Sequence, residues 1–395
     1  MFKWEEVLKV ALFTPGRNGW GLESMIVGGS GIGKSEIAKT LSEAMGLFTV
    51  EFSPGERGSG AFGVVPVVTE DQFLAFPPPI DAKELWSRKH AAFIVDEANL
   101  GCRLLKPHLQ GLFGRKRLGS AFLGNGTRML ATINPTELSS GGFELDPPIA
   151  NRLIWFYPDN LPVRPWLRWL DGFNGLESFA AGEPNSRDVA EAMALMAKTE
   201  EERVLDLWAP AFEGAKDSVR EFISGRGHEL LVKQPPAGDV KGAGPWPSGR
   251  SWEMVIRSLA GCAIHDVSMD TTSRFVSGSV GQGPGQEFET WLRFRDLPDP
   301  DRYLDGFEEF TMDAGRVDRS RAFVEAALHR VKDDGPGGKR MLRFFDLLTS
   351  IGTVAPDLIV GPMQELSNRK KLAYCPPALK DIIRPIVALR GKLRT

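Results

Sequence analysis

The sequence predicts an α/β fold, with a mostly parallel sheet joined by crossover helices and followed by a helical region. Two observations carry this prediction. Apolar runs typical of buried strands recur at 22–27, 48–52, 91–95, 127–133 and 153–157, and the stretches between them are long enough for crossover helices. From about residue 160 helical patterns dominate as far as the C-terminus. A chain of 395 residues is also too long for one ordinary core, so we expect two or three domains.

The composition and charge of the chain exclude several classes of protein. Hydrophobic residues make up 42% and charged residues 25%, which is typical of a soluble globular protein. A net charge of −3 argues against a large nucleic-acid footprint. The one basic cluster, Arg115, Lys116 and Arg117, is short, and we interpret it as a solvated helix end.

Cysteine usage and the apolar runs bear on location. Cys102, Cys262 and Cys375 are odd in number and far apart, so they fit neither a disulfide framework nor a zinc site. The charged N-terminus does not have the pattern of a signal peptide, and no apolar run approaches the length of a membrane span. We therefore expect a cytoplasmic protein that does not associate with membranes.

The first strand leads into VGGSGIGKSE, residues 27–36, which we call the phosphate loop. Gly28, Gly33, Lys34 and Ser35 fit the pattern G-x-x-x-x-G-K-[ST], in which backbone N–H groups surround nucleotide phosphates. Lysine then reaches the β- and γ-phosphates, and the hydroxyl takes Mg²⁺. The predicted nucleotide-binding residues are Gly28, Gly29, Ser30, Gly31, Ile32, Gly33, Lys34, Ser35 and Glu36.

The third strand ends in two acids, in the segment AAFIVDE at 91–97. Asp96 at the strand end is suited to hold Mg²⁺ with Ser35, and Glu97 beside it to polarise a water for attack on the γ-phosphate. A kinase site should exclude such a water, so the adjacent acids indicate hydrolysis. The next strand, in MLATINPTE, ends in Asn134, whose amide can help Glu97 to position the water.

Two arginines complete the predicted catalytic set. Arg152 lies at the start of the fifth strand, and Arg250 lies at the start of a later helix. A transition state over which negative charge spreads needs additional cations. We expect Arg250 to supply one in cis, from a lid that closes over the nucleotide. Arg152 is expected to face away from its own site and to serve a neighbouring subunit in a ring.

In this order VGGSGIGKSE, FIVDEAN, ATINP, ANRL and PSGRSWE resemble the AAA+ ATPases, and within them the MoxR family. The resemblance runs from about residue 20 to about 300 and includes FVSGSVGQGPGQEF, which is similar to the lid of relatives encoded beside von Willebrand A proteins. It implies an αβα nucleotide-binding core at 1–165 and a helical lid at 166–300. The helical region at 301–395 carries no motif of the family.

The resemblance also implies roles and partners. Lys34 and Ser35 would contact phosphate and Mg²⁺, Asp96 would bind Mg²⁺, and Glu97 would be the catalytic base. Asn134 would be the first sensor, Arg152 the trans finger and Arg250 the second sensor. Relatives commonly form six-membered rings and remodel or activate client complexes, often with a von Willebrand A protein as adaptor.

The chain departs from the family at three places. The phosphate loop lacks the usual pair of prolines, Leu100 replaces an arginine that often follows the asparagine, and Gly249 replaces a proline before the sensor arginine. The Leu100 change puts one contact between subunits in doubt.

The region at 58–80 is rich in glycine and proline and predicts loops with a hairpin. Phe62, Phe73 and Phe76 are candidates for exposed contacts with a client, or else they pack against the core.

Three other functions stay open at this stage. The chain could be a P-loop kinase of small molecules, which would lack a glutamate placed for water. It could be a DNA-linked AAA+ loader or transcription activator, although no helix-turn-helix is evident. It could also be an ATP-bound structural switch that scarcely turns over.

Overall fold

In the computed structural model the chain forms two compact units, Met1–Glu289 and Thr290–Thr395. The structure describes residues 2–57, 59–63, 65–100, 106–138, 144–158, 187–226, 228–232, 244–295, 297–313 and 316–382, together with positions 167, 170 and 384. The finer division at 165 and 300 stays a prediction.

The first unit is built on a five-stranded parallel sheet, and helical regions follow it, which confirms the predicted α/β fold class. The strands are β1 Ser24–Val27, β2 Phe48–Phe52, β3 Ala91–Val95, β4 Thr127–Ile133 and β5 Ile154–Phe156. Their order across the sheet is β5-β1-β4-β3-β2, and each neighbouring pair is parallel. All five strands therefore begin at one edge, the strand-start edge, and end at the other, the strand-end edge.

Both faces of the sheet are covered, because apolar side chains on a strand alternate between its two faces. Met25 and Val27 of β1 belong to a core cluster shared with helices α4 (Ile80–Trp86) and α5 (Lys106–Arg115). Ile26 between them belongs to a different cluster, shared with α1 (Trp4–Phe13) and α2 (Lys34–Ala44). The predicted strands are thus the middle layer of three.

Shorter elements connect these layers. Helices α3 (Pro54–Arg57) and α6 (Pro147–Ala150) have one turn each. Two-residue strands form three antiparallel hairpins, at Pro15–Gly16 with Gly19–Trp20, at Val67–Val68 with Leu74–Ala75, and at Arg117–Leu118 with Ala121–Phe122. The second of these confirms the hairpin that was predicted within 58–80.

After β5 every regular element of the described residues is helical. The first unit continues with α7 Arg187–Arg226, α8 His228–Leu231, α9 Gly249–Ile264 and α10 Met269–Val280, and the division between the units falls within α11 Gln282–Phe294. Ser248 caps α9, and Gly261 lets this helix approach closely, since a Cβ there would lie 2.1 Å from Thr14 Oγ1. This packing fixes α9 beside α1.

The second unit has its own core, built from α12 Pro300–Leu304, α13 Val317–Val331, α14 Lys339–Val354 and α15 Asp357–Asn368. Phe323, Phe344 and Leu348 are among its fully buried side chains. In the described part of the whole chain, no helix is both long enough and apolar enough to span a membrane.

Candidate active site at the ends of the strands

The phosphate loop joins β1 to α2 at the strand-end edge. Gly31 and Gly33 have φ values of +80° and +74°, a left-handed conformation that side chains other than glycine rarely adopt. Gly33 is the N-cap of α2, and the unpaired N–H groups of the first helical turn can receive an anion. Ser30, Gly31 and Glu36 are exposed, so the outer side of this loop is open to solvent.

Lys34 is the buried cation of the site, with 7% of its surface exposed. Its Nζ donates hydrogen bonds to Gly28 O at 2.8 Å, Gly29 O at 2.9 Å and Asn134 Oδ1 at 2.9 Å. Burial lowers the pKa of Lys34, whereas the nearby carboxylates of Asp96 and Glu97 act in the opposite direction. The amine therefore lies within reach of phosphates in the loop, and Asn134 links it to Glu97.

Asp96 follows β3 and lies beside two hydroxyl groups. Ser35 Oγ and Thr132 Oγ1 both donate hydrogen bonds to Asp96 Oδ1. Thr132 Oγ1 also accepts the backbone N–H of Glu97 at 3.1 Å. One threonine thus orients both acidic residues, a role that the sequence prediction missed.

Glu97 stands in a strained backbone conformation, with φ at +48°. Asn134 Nδ2 donates to Glu97 Oε1 at 3.0 Å, so the structure brings these two predicted site residues together. Asn134 is in turn held through its carbonyl, which accepts from Asn99 Nδ2 at 2.9 Å. Asn99 is only 1% exposed, and its place in FIVDEAN is the one feature of the sequence that could have pointed to it.

The oxygen donors of this site suit Mg²⁺ bound together with nucleotide phosphates. Mg²⁺ in such sites takes one or two protein oxygens and completes its shell with water and phosphate oxygens. Ser35 and Asp96 supply one hydroxyl and one carboxylate side by side. Among the described residues no group of three or more His, Cys, Asp or Glu side chains is placed to hold a metal by itself. The residues therefore fit a metal that arrives with a nucleotide.

Arg152 and Arg250 do not join this site. They line a separate cavity at the strand-start edge together with Glu23, the residue before β1. Glu23 and Gly28 are five residues apart along extended chain, so their backbones are separated by roughly 16 Å. Arg152 therefore lies at the edge opposite to its own phosphate loop, and its role toward a neighbouring subunit stays a prediction.

Arg250 differs from the expectation, because it lies beside Arg152 and not over the chain's own phosphate loop. The physical reason is the packing of α9, which carries Arg250 in its first turn. Arg257 of the same helix donates to Pro15 O at 3.1 Å in the hairpin that follows α1. The helix is thereby docked at the strand-start edge.

One alternative for Phe62 is confirmed, and the expectation for Lys116 needs correction. Phe62 packs against the core: its side chain is fully buried, with its ring 5.1 Å from that of Phe52 and 5.3 Å from that of His108. Lys116 is not part of a solvated helix end, because it is 3% exposed and its Nζ donates to Trp20 O and Thr127 O. A cluster of charged residues in a sequence does not reveal that one of its side chains will be buried.

Phe73 and Phe76 do lie at the surface, 73% and 48% exposed. They belong to the hairpin at Val67–Ala75 or follow it directly, and the exposed Val68 and Leu74 extend the apolar surface. We call this the hairpin surface. Leu100 N donates to Glu97 O at 2.8 Å, so it closes the turn after the acids, and its contact with a neighbour stays a prediction.

No protein-family model matches this chain, and no curated protein does. Among solved structures it is similar to one described as "a putative ATPase" from Cytophaga hutchinsonii. The two share 14% sequence identity over 73% of this chain and 87% of that chain, with a TM-score of 0.42. A likeness at this level assigns no function, which must be inferred from the site.

Proposed function

We propose that the chain is a Mg²⁺-dependent ATPase whose subunits share active sites in a ring and remodel a partner complex. The observation that carries the proposal is the connected set at the strand-end edge. Lys34, Asn134 and Glu97 are linked by hydrogen bonds, and Thr132 ties Glu97 to the Asp96–Ser35 pair. This set combines a phosphate-binding lysine with a carboxylate placed for water.

The residues of the set act on ATP in different ways. Lys34 exchanges the carbonyls of Gly28 and Gly29 for phosphate oxygens, and backbone N–H groups of the loop bind the rest of the triphosphate. Mg²⁺, held through Ser35 and Asp96, would neutralise charge on the β- and γ-phosphates. Glu97 accepts the proton of the attacking water, which Asn134 helps to orient.

The arginines motivate the sharing of sites. Arg152 and Arg250 lie at the edge opposite to the phosphate loop, so neither is placed to reach the nucleotide of its own chain. An arginine supplied in trans stabilises the charge of a phosphoryl-transfer transition state by several orders of magnitude in rate. In a ring the strand-start edge of one subunit would meet the phosphate loop of the next, and both arginines would act there. The resemblance to MoxR proteins makes six subunits, a client complex and a von Willebrand A adaptor the expected assembly.

The test is the ATPase rate per subunit as a function of protein concentration, for wild type and for wild type doped with Arg152→Ala. We expect the rate to rise with concentration and to fall on doping more steeply than the mutant's share. Arg220→Ala, which changes an exposed arginine of α7, is the control, and doping with it should leave the ATPase rate per subunit unchanged. A flat rate with a proportional loss on doping would show that each chain works alone, and sharing would be refuted.

The other functions make different predictions in the same assay. A small-molecule kinase would release little phosphate without an acceptor, and a structural switch would bind ATP with almost no turnover. A DNA-linked protein would be stimulated by added DNA. Steady hydrolysis that needs neither acceptor nor DNA supports the proposed ATPase over these alternatives.

A further inference from the structure

The cavity at the strand-start edge, which we call the arginine cavity, gathers an unusual number of like charges. Its volume is about 270 Å³. Its charged lining consists of Arg17, Arg115, Arg152, Arg250 and Arg257, with the carboxylates Glu23 and Glu253. Five cations around so small a space repel one another, and water weakens the repulsion least for Arg152, Arg250 and Arg257, because Arg17 and Arg115 are exposed. Which carboxylate offsets which arginine therefore decides whether the cluster holds together.

The two carboxylates have different partners. Glu253 Oε1 accepts hydrogen bonds from Arg257 Nε at 3.2 Å and Nη2 at 3.0 Å, one turn further along α9. Glu23 directly precedes β1. Its carbonyl accepts from Ile154 N at 2.9 Å, which fixes the backbone between β1 and β5. The cations that act on the carboxylate of Glu23 are Lys116 first, and then Arg152 and Arg250.

A short network holds the Glu23 side chain in the cavity. Asn18 is hydrogen-bonded to its carboxylate, and Asn18 Nδ2 also donates to Gly114 O at 3.1 Å. Gly114 lies directly against Arg152, because a Cβ at this glycine would be 2.5 Å from Arg152 Nε. Arg152 in turn donates to Pro148 O. Glu23 and Arg152 are thus held at two ends of one chain of contacts.

Arg250 faces the same carboxylate from α9. Burial is the main cause that lowers the pKa of Arg152, and the charge of Arg250 is the next. Both arginines act on Glu23, whose pKa burial raises to about 7 in spite of them. Within the arginine cavity, Glu23 is the anion that the two arginines have in common.

We propose that Glu23 is a positioning residue, the internal counter-ion that lets Arg152 and Arg250 lie side by side, ready for the phosphates of a neighbouring subunit. The inference rests on the proposed sharing of sites. Without the carboxylate the two guanidinium groups repel each other and separate. They then no longer meet one γ-phosphate together, and the catalytic gain from their alignment is lost.

The variant Glu23→Gln keeps the shape of the side chain and removes its charge. We expect kcat to fall about tenfold, the loss of roughly one charge-assisted interaction in the transition state. The affinity of the chain's own phosphate loop for a fluorescent ATP analogue should not change, because that loop lies at the opposite edge. A loss of affinity equal to the loss of rate would overturn the inference.

The pH profile gives a second readout. Above its pKa of about 7 Glu23 is charged and holds the arginines, whereas below it the carboxyl is neutral and they separate. The wild-type rate should therefore rise between pH 6 and 8, and Glu23→Gln should lack that part of the rise. The charged groups that face Glu23 from the surrounding elements are Lys116, Arg152 and Arg250, with Arg17, Arg115, Glu253 and Arg257 around the same cavity. Identical pH–rate profiles for wild type and Glu23→Gln would refute the role of Glu23 as the counter-ion of the arginines.

A purely structural role must be separated from positioning, because Glu23 also neutralises the buried Lys116. The double variant Glu23→Gln/Lys116→Met removes both charges, so the buried Lys116 is not left as a cation without its carboxylate. Positioning predicts that its rate stays as low as that of Glu23→Gln. Recovery of the wild-type rate would show that Glu23 only balances Lys116.

Arg152→Ala distinguishes this inference from the function on which it rests. If Arg152→Ala lowers the shared rate and Glu23→Gln does not, sharing stands and the role of Glu23 is refuted. If Arg152→Ala has no effect, sharing fails, and the role of Glu23 fails with it.

Discussion

Thr132 is the residue on which the acidic part of the site depends. Its side chain is buried in β4, with Oγ1 donating to Asp96 and accepting from the backbone N–H of Glu97. A hydroxyl is suited to this place because it can donate and accept at the same time. Neither acid is positioned by its own strand alone, since both follow the last residue of β3.

Replacing Thr132 by valine should therefore impair metal-dependent hydrolysis while preserving the shape of the core. A hydrogen bond to a charged group contributes about 1.5–3 kcal/mol, so we expect kcat to fall by roughly tenfold or more. The Mg²⁺ concentration that gives half-maximal rate should rise as well. Thr132→Ser, which retains the hydroxyl, should recover most of both.

Thr127 at the other end of β4 provides the matched control. It is equally buried, and its hydroxyl has no hydrogen-bond partner in the part of the chain that the structure describes. Thr127→Val should leave rate and Mg²⁺ dependence unchanged. If Thr127→Val and Thr132→Val lowered the rate equally, the cause would be the loss of any buried hydroxyl from β4, and Thr132 would have no special function.

At the scale of elements, the long helix α7 is joined to β4 by a buried ion pair. Arg128 of β4 is 0% exposed, and its guanidinium binds Glu201 of α7 and donates to Leu12 O at 3.2 Å. It also lies 5.3 Å from the ring centre of Phe13 and 5.6 Å from that of Trp20. The same strand carries Thr132 towards the active site, so α7 and the site share one rigid element.

Removing the partner of Arg128 should be costly. Glu201→Ala leaves a buried cation without a counter-ion, a change that destabilises proteins by about 3–5 kcal/mol. Urea unfolding of the full chain would measure this loss. Glu202→Ala, the neighbouring residue of α7 in an exposed pair with Lys198, should change stability very little. If both variants unfolded at the same urea concentration, the ion pair would not be what holds α7 to the sheet.

At the scale of the whole first unit, the parallel sheet separates two functional groups of residues. Lys34, Asn134 and Glu97 are hydrogen-bonded to one another at the strand-end edge, whereas Arg152 and Arg250 lie at the strand-start edge. Neither Arg152 nor Arg250 lies at the chain's own phosphate loop, and in the proposed closed ring a neighbouring subunit would supply both to every site. We expect the hairpin surface to be a further part of such an assembly, since it exposes apolar side chains that nothing in the described residues covers.

If the hairpin surface binds clients, Phe73→Ala should abolish stimulation of the ATPase by casein, used as a permanently unfolded protein, and spare the basal rate. The exposed ring of Phe73 offers apolar contact area without a role in the core. Phe307→Ala, on an equally exposed ring of the second unit, is the matched control. Stimulation that survives in Phe73→Ala would rule out this ring as a client contact.

The sequence by itself determined the five strands, the phosphate loop and the order of the polar residues at the strand ends. These features are local: buried strands are short apolar runs, and the conformation of the loop is fixed by its glycines. Since parallel strands end at one edge, Lys34, Asp96, Glu97 and Asn134 had to come together once the strands were known.

Only the tertiary structure decided what depends on the packing of distant elements. The docking of α9 against α1 and its hairpin placed Arg250 at the strand-start edge, and contacts between remote segments buried Lys116 and Phe62. The register of β4 against β3 brought the hydroxyl of Thr132 to the two acids. The type and spacing of a residue do not predict which surface will cover it, because that surface is formed by a remote segment of the chain.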